Sequence, residues 1–146
     1  MSKPIALPMA PPAPAVLVPC TECGKCCTYV AVGINAPTTP RTATDILWYL
    51  YHERVSVWVD SDGEWSVVFE TRCRNLDQAL LCTIYEKRPL ICRDFDNESC
   101  EVNDPGGSRC FSSPAQFLEY LRLENPKLHR RVMKSFAPAE LAPATA

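Results

Sequence analysis

The sequence has no long hydrophobic run and no large excess of charge of either sign. No apolar stretch approaches the roughly 20 residues that span a bilayer, so a membrane partner is not expected. The net charge of −2 over 146 residues gives no electrostatic attraction for nucleic acid. A hydrophobic fraction of 47% is still enough for a folded core. We therefore expect a small soluble protein that binds neither a membrane nor nucleic acid.

The N-terminus lacks the pattern of a secretory signal. Residues 1–19 contain one lysine and six prolines, which would break the helix of a signal segment. We predict that residues 1–19 form a disordered Pro/Ala-rich leader, that residues 20–136 fold as a cysteine-cluster metal-binding domain, and that residues 137–146 form a disordered tail. A chain without a signal segment is predicted to be cytoplasmic, where thiols stay reduced.

Histidine and glycine are also scarce, which argues against several kinds of enzyme site. The two histidines, His52 and His129, lie on predicted helices away from the cysteine motif. The five glycines form no phosphate-binding loop, and no Cys/His arrangement suggests nucleophilic catalysis. Whether the protein is an enzyme is left open by these observations.

Hydrophobic periodicity predicts a small α+β fold. A helix is expected to begin after the capping residues at 42–45 and to end near Arg54. Two valine-rich runs around the Asp62-Gly63 turn predict a β-hairpin, and two helices are expected at 114–124 and 126–135. The three tryptophans on these elements are interpreted as core residues. The predicted fold class is a metal-stapled domain with a β-hairpin and several short helices.

Nine cysteines dominate the chemistry, and four of them open the predicted domain in the run C-T-E-C-G-K-C-C at residues 20–27. Two intervening residues let both sulfurs of a C-x-x-C reach one metal ion at about 2.3 Å. We expect Gly24 to supply a positive φ in this turn. Because neighbouring side chains diverge, Cys27 is predicted to serve a second centre or a bridge beside the three thiols at Cys20, Cys23 and Cys26.

The remaining cysteines are spaced too widely for local turns, so the tertiary fold must bring them together. Pro89 predicts a helix start that places Cys92 near a helix N-terminus, where the dipole favours thiolate. The flanking Arg88 and Arg93 either compensate thiolate charge or form surface ion pairs, and the spacing does not distinguish these alternatives.

The full pattern of cysteines and flanking residues resembles a known family. The motif C-x-x-C-G-x-C-C is followed by Cys73, by C-T-I-Y-E-K-R-P from residue 82, by C-R-D-F-D from residue 92 and by C-E at residue 100. This combination resembles the YkgJ-like cysteine-cluster family, known as the CxxCxxCC putative zinc- or iron-chelating domain. The resemblance implies as metal ligands Cys20, Cys23, Cys26, Cys27, Cys73, Cys82, Cys92 and Cys100. Cys110 lies outside the part of the chain that carries the resemblance.

The leading hypothesis is a metal-binding protein whose cysteine cluster chelates zinc or iron, with an iron–sulfur cluster as one form of the iron. Soft sulfur ligands also admit Cu(I) but disfavour magnesium and calcium. The alternative function is an iron–sulfur electron-transfer or redox enzyme component. A thiol enzyme using Cys92 and a disulfide scaffold are further alternatives. The expected partner is a metal ion, and no protein partner is assigned.

Overall fold

The protein is seen in a computed structural model that describes residues 16–98, 100–103 and 109–140. One sheet has the strand order β1-β3-β2-β4, with β1 at Tyr29–Ile34, β2 at Val55–Val59, β3 at Trp65–Glu70 and β4 at Arg109–Phe111. The helices are α1 at Pro40–Leu50, α2 at Leu90–Arg93, α3 at Pro114–Glu124 and α4 at Pro126–Glu140. Short 3₁₀ turns are at Cys20–Glu22, Lys25–Cys27 and Tyr85–Lys87. This architecture confirms the predicted small α+β class.

The chain divides into two compact units, each built from two separate segments. We call one the cysteine unit, whose described residues are 16–30, 70–98 and 100–103. The other is the core unit, whose described residues are 31–69 and 109–140. Residues 1–15 of the predicted leader and residues 141–146 of the predicted tail lie outside the described residues.

The core unit has a continuous apolar interior. Its buried side chains come from α1, β2, β3, β4, α3 and α4, and they are Ala43, Ile46, Leu47, Leu50, Val57, Trp65, Val67, Phe111, Phe117, Leu121, Leu128 and Val132. The Trp65 ring stacks on Phe111 at 5.8 Å, and Phe117 meets both rings edge-on. Burial of large aromatic rings stabilises this unit without any help from a ligand.

The predicted β-hairpin around Asp62-Gly63 is confirmed. Strand β2 pairs antiparallel with β3, with Val57 opposite Val67, and also with β4. In the turn, Oδ1 of Asp60 accepts hydrogen bonds from the backbone N–H groups of Asp62 and Glu64. Gly63 has a φ of 84°, a conformation that residues with a side chain rarely adopt. Asp60 and Gly63 therefore fix the hairpin turn locally.

Helix α1 differs from its prediction at both ends. It begins at Pro40, because Thr39 and Thr42 cap the first turn reciprocally, rather than after residues 42–45. It ends at Leu50 rather than near Arg54, which has a φ of 62° and is outside the helical region. The helix buries Ala43, Ile46, Leu47 and Leu50, so Trp48 is left 58% exposed. The core assignment is confirmed for Trp65 and wrong for Trp48.

Helices α3 and α4 begin where the sequence predicts. Ser113 caps α3, and Oδ1 of Asn125 accepts a hydrogen bond from the N–H of Leu128 in α4. Helix α4 extends to Glu140 rather than ending at 135. Within the described parts of the chain, no helix has the length and apolar character needed to cross a membrane.

We expect Phe117→Ala to destabilise the core unit by about 3–5 kcal/mol, because it removes a fully buried ring and leaves a cavity between α3 and the sheet. Chemical denaturation followed by circular dichroism measures the free energy of unfolding. Leu123→Ala on the same helix is the control, since Leu123 is 59% exposed. Equal effects of the two substitutions would contradict the assigned core.

Candidate metal centre

The cysteine unit has almost no apolar interior. Among its described residues, the buried ones are Gly24, Leu76 and Asn103, and Leu76 alone has a hydrophobic side chain. All eight cysteines predicted to bind metal belong to this unit. Hydrophobic burial is the main favourable contribution to folding, so another interaction has to stabilise the cysteine unit.

The first C-x-x-C-x-x-C segment is shaped by two short 3₁₀ turns. The N–H of Cys23 donates to the carbonyl of Cys20 at 3.4 Å. Burial raises the pKa of the Cys26 thiol, a hydrogen bond with the Cys27 thiol partly offsets this rise, and the negative charge of ionised Cys20 and Cys23 adds to it. We call Cys20, Cys23 and Cys26 the Cys26 group. The effect of Cys20 and Cys23 on Cys26 indicates that the three thiols lie in one neighbourhood.

Cys27 has different neighbours. The N–H of Cys73 donates to the carbonyl of Cys27 at 2.7 Å, and Cys82 forms an isolated antiparallel bridge with Leu76. Burial raises the pKa of Cys27 to about 12, with further contributions from Cys26, Cys73 and Cys82. We call Cys27, Cys73 and Cys82 the Cys27 group. The Cys26 and Cys27 thiols also form a hydrogen bond with each other, so the expected divergence of these two side chains is not seen.

Gly24 lies between the two groups, and its role differs from the predicted one. Its φ is −100°, so it supplies no positive φ. Instead, a Cβ at this position would collide with the carbonyl oxygen of Leu80 and would lie 3.1 Å from Cδ1 of Leu76. Leu80 itself has a φ of 63°, which is uncommon for a leucine. The absence of a side chain at Gly24 therefore allows the 76–82 loop to approach the first motif.

Cys92 lies in α2, which is a single helical turn. Pro89 is the N-cap rather than a residue of the first turn, and few peptide dipoles add up in four residues. Cys92 and Cys20 line the same cavity of about 310 Å³, together with Arg88 and Arg93. Arg88 stacks on the Tyr85 ring at 3.7 Å, and both arginines donate to backbone carbonyls. These bonds fix the loop that presents Cys92.

A buried asparagine joins the segment after Cys92 to the chain before Cys20. Asn103 is 4% exposed, accepts from the N–H of Val18 at 2.8 Å and donates to the carbonyls of Val18 and Asn97. The Oδ1 atom of Asn97 in turn accepts from the Cys20 thiol at 3.2 Å. This polar network fixes the 97–103 segment beside the first motif.

Glu101 lies in this clamped segment, next to Cys100 in the chain. The Tyr29 hydroxyl donates a hydrogen bond to the Glu101 carboxylate, and burial together with this bond raises the pKa of Tyr29. Cys26 and Cys100 also act electrostatically on Tyr29. The Oε1 atom of Glu101 is buried and has no hydrogen-bond partner among the described residues. A carboxylate oxygen thus lies in the neighbourhood of two of the predicted thiol ligands.

Cys110 and both histidines belong to the core unit. Cys110 lies on β4 opposite Trp58, and Nδ1 of His52 is 2.8 Å from the carbonyl oxygen of Trp48. All nine cysteines lie among the described residues, and none of them forms a disulfide. The disulfide-scaffold alternative therefore receives no support.

Within the described ranges, no three histidine, cysteine, aspartate or glutamate side chains converge closely enough to hold a metal ion as they stand. The donor chemistry nevertheless fits zinc or iron, because both accept several thiolates and a carboxylate oxygen. Metal binding deprotonates thiols that burial and neighbouring thiols otherwise keep neutral. The sulfurs of each group must therefore move together when they bind a metal.

Sequence reasoning identified the cysteines but missed Tyr29, Glu101 and Asn103. The sequence did offer one indication of the carboxylate, because Glu101 directly follows the predicted ligand Cys100. The contacts of Tyr29 and Asn103 join segments more than 70 residues apart, so no local pattern could reveal them.

We expect Gly24→Ala to destabilise the cysteine unit by about 1–3 kcal/mol, because the added methyl group must displace the carbonyl of Leu80. Residue-resolved hydrogen exchange measures the effect at the N–H of Cys73, which is bonded to Cys27. Gly33→Ala is the matched control, since a Cβ on Gly33 meets nothing within 4 Å. The packing role of Gly24 is refuted if both variants leave exchange unchanged.

The comparison with known proteins agrees with this donor chemistry. The family model CxxCxxCC, described as a putative zinc- or iron-chelating domain, matches residues 19–111, a span that covers more than half of the chain and contains all nine cysteines. No curated protein and no solved structure matches the chain. The family expected from the cysteine motif is confirmed, while the YkgJ-like label stays a prediction. The chain belongs to the CxxCxxCC family of putative zinc- or iron-chelating domains.

Proposed function

We propose that this protein chelates zinc or iron through eight cysteine thiolates and that chelation fixes the fold of the cysteine unit. A bound ion supplies a cross-link between segments that are distant along the chain. The proposed ligands are Cys20, Cys23, Cys26, Cys27, Cys73, Cys82, Cys92 and Cys100.

The observation that carries this proposal is that the unit with eight cysteines has almost no hydrophobic core. Four of the cysteines come from the 16–30 segment and four from the 70–103 segment of the same unit. Leu76 is the one buried hydrophobic side chain among the unit's described residues. In zinc-finger peptides a structural zinc contributes about 10 kcal/mol or more, which is comparable with the stability of a whole domain.

The neighbours of each thiol favour two centres rather than one. Cys26 interacts with Cys20 and Cys23, Cys27 interacts with Cys73 and Cys82, and the hydrogen bond between the Cys26 and Cys27 thiols makes the two proposed centres adjacent. We assign Cys92 to the first centre because it shares a cavity with Cys20. The second centre is then formed by the Cys27 group.

The chemistry of the ligands also favours a cytoplasmic protein. Thiolates bind metal only in the reduced form, and the cytoplasm keeps thiols reduced. An iron–sulfur cluster would use the same ligands as iron alone, so the form of the metal is an outcome of the first experiment below.

We expect the full-length protein, purified without oxygen from its native host, to contain stoichiometric zinc or iron. Elemental analysis gives the metal content, and a visible spectrum separates the alternatives. A colourless zinc protein supports a structural centre, whereas a brown protein with iron and sulfide supports an iron–sulfur cluster. Folded protein that contains no stoichiometric metal would overturn the proposed function.

Removal of the metal with a chelator is expected to increase hydrogen exchange in the cysteine unit far more than in the core unit. The core unit has its own apolar interior, whereas the cysteine unit depends on the cross-links. Cys73→Ser should reproduce the effect by removing one proposed ligand. Cys110→Ser is the control, because Cys110 lies on β4 in the core unit. The same loss of metal in both variants would contradict the proposed ligand set.

A further inference from the structure

We infer that the core unit carries a self-association surface on which a second copy of this chain docks through charge pairing. One half of the surface is the exposed face of α4, which we call the basic stripe and which consists of Lys127, Arg130, Arg131 and Lys134. The other half is the turn between β2 and β3, which we call the acidic tip and which consists of Asp60, Asp62 and Glu64. This inference does not depend on metal chelation.

The basic stripe follows from the spacing of its cations along α4. Residues at positions i, i+3, i+4 and i+7 lie on one face of an α-helix, and all four side chains are exposed. The buried residues Leu128 and Val132 lie on the opposite face, where α4 packs on the core. Seven residues of helix span about 10.5 Å, so the stripe brings four positive charges within about two helical turns.

Each cation of the basic stripe has only like-charged neighbours within the stripe. Spacings of three and four residues place both arginines between the two lysines, and like charges at these spacings destabilise a helix. Two other helices of the core unit differ in this respect. In α1, Arg41 pairs with Asp45 at 3.2 Å. In α3, Arg122 pairs with Glu119 at 2.6 Å.

No carboxylate of the described residues forms an ion pair with the basic stripe. The repulsion among its four cations is therefore not relieved within the chain. A partner that places negative charge on this face would relieve it, and charge complementarity thus calls for an acidic surface.

The acidic tip supplies such a surface in the same unit. The Oδ1 atom of Asp60 accepts the hydrogen bonds of the turn, whereas Asp62 and Glu64 take part in the turn through their backbone groups. Their carboxylates are exposed and form no ion pair with any described residue. The acidic tip and the basic stripe are therefore both available to another copy of the chain.

The distribution of charge favours a second copy over an extended polyanion. The chain has 15 lysines and arginines and 17 carboxylates, so 11 cations oppose 17 carboxylates outside the basic stripe. A long nucleic acid or an anionic membrane would meet this acidic excess around the stripe. The hairpin turn of another copy is small enough to contact the stripe alone. Because exposed ion pairs are individually weak, we expect a reversible, salt-sensitive contact.

The test is sedimentation velocity of the full-length protein, kept without oxygen, at two ionic strengths. The Debye length falls from about 30 Å at 0.01 M to about 3 Å at 1 M, which screens the proposed charge pairs. We expect the wild-type protein to associate at the lower ionic strength. Its apparent dissociation constant should rise by about 10-fold or more at the higher one.

Two double variants separate the halves of the surface. Arg130→Glu with Arg131→Glu removes the net positive charge of the basic stripe. Asp62→Lys with Glu64→Lys reverses the acidic tip and leaves Asp60 to hold the turn. Each variant alone should stay monomeric, because its stripe and tip no longer attract each other. An equimolar mixture should form a 1:1 complex, in which the tip of the first variant binds the stripe of the second.

Arg74→Glu with Lys87→Glu is the matched control, since it changes the net charge as much as the stripe variant does. Both residues are exposed and belong to the cysteine unit. The control should associate nearly as well as the wild-type protein.

Several results would overturn the inference. They are a wild-type protein that stays monomeric at low ionic strength, association that either double variant leaves unchanged, a mixture that stays monomeric, and equal losses in the control. A short DNA duplex added to the same experiment tests the other occupant. Tighter binding of the duplex than of a second copy, lost in the stripe variant, would assign the stripe to nucleic acid instead. The metal content is measured separately, so these results leave the proposed function intact.

Discussion

The shortage of buried apolar side chains in the cysteine unit is the constraint on which the rest of the structure depends. The core unit shows the contrast, because stacked rings such as Trp65 and Phe111 fill its interior. In the cysteine unit, Leu76 is the single buried hydrophobic side chain among the described residues. A segment with so little hydrophobic burial cannot recover the entropy lost on ordering its backbone. Thiolate cross-links through a metal are the interaction that its composition offers.

Polar contacts position the cysteines without supplying this missing stability. Asn103 attaches the 97–103 segment to Val18, and Asn97 accepts a hydrogen bond from the Cys20 thiol. Gly24 lets the 76–82 loop approach the first motif. A hydrogen bond contributes only about 0.5–1.5 kcal/mol net, so these contacts determine where the thiols lie rather than whether the unit folds. In this unit, polar contacts therefore set the positions of the thiols, whereas the stability of the fold has to come from another interaction.

The parts of the fold that were predicted correctly are those fixed by local chemistry. The hairpin follows from the turn residues Asp60 and Gly63, and α3 begins at its Ser113 cap. The start of α1 was predicted too late because Thr39 is the N-cap and forms a capping box with Thr42. Trp48 was misplaced because its exposure depends on which face of α1 packs on the core. Each error arises where a tertiary contact, or a choice between adjacent caps, decides the outcome.

For the candidate site, the sequence by itself determined the donor chemistry and the family. The C-x-x-C spacing and the count of thiols are local or compositional features, and they require no fold to be read. Only the tertiary structure decided that Cys73 and Cys82 lie near Cys27 and that Glu101 lies beside Tyr29. These contacts join residues that are far apart along the chain, and the spacing of residues in the sequence does not predict such contacts. The physical reason is that chain folding, rather than local turn geometry, sets distances between segments separated by 40 residues or more.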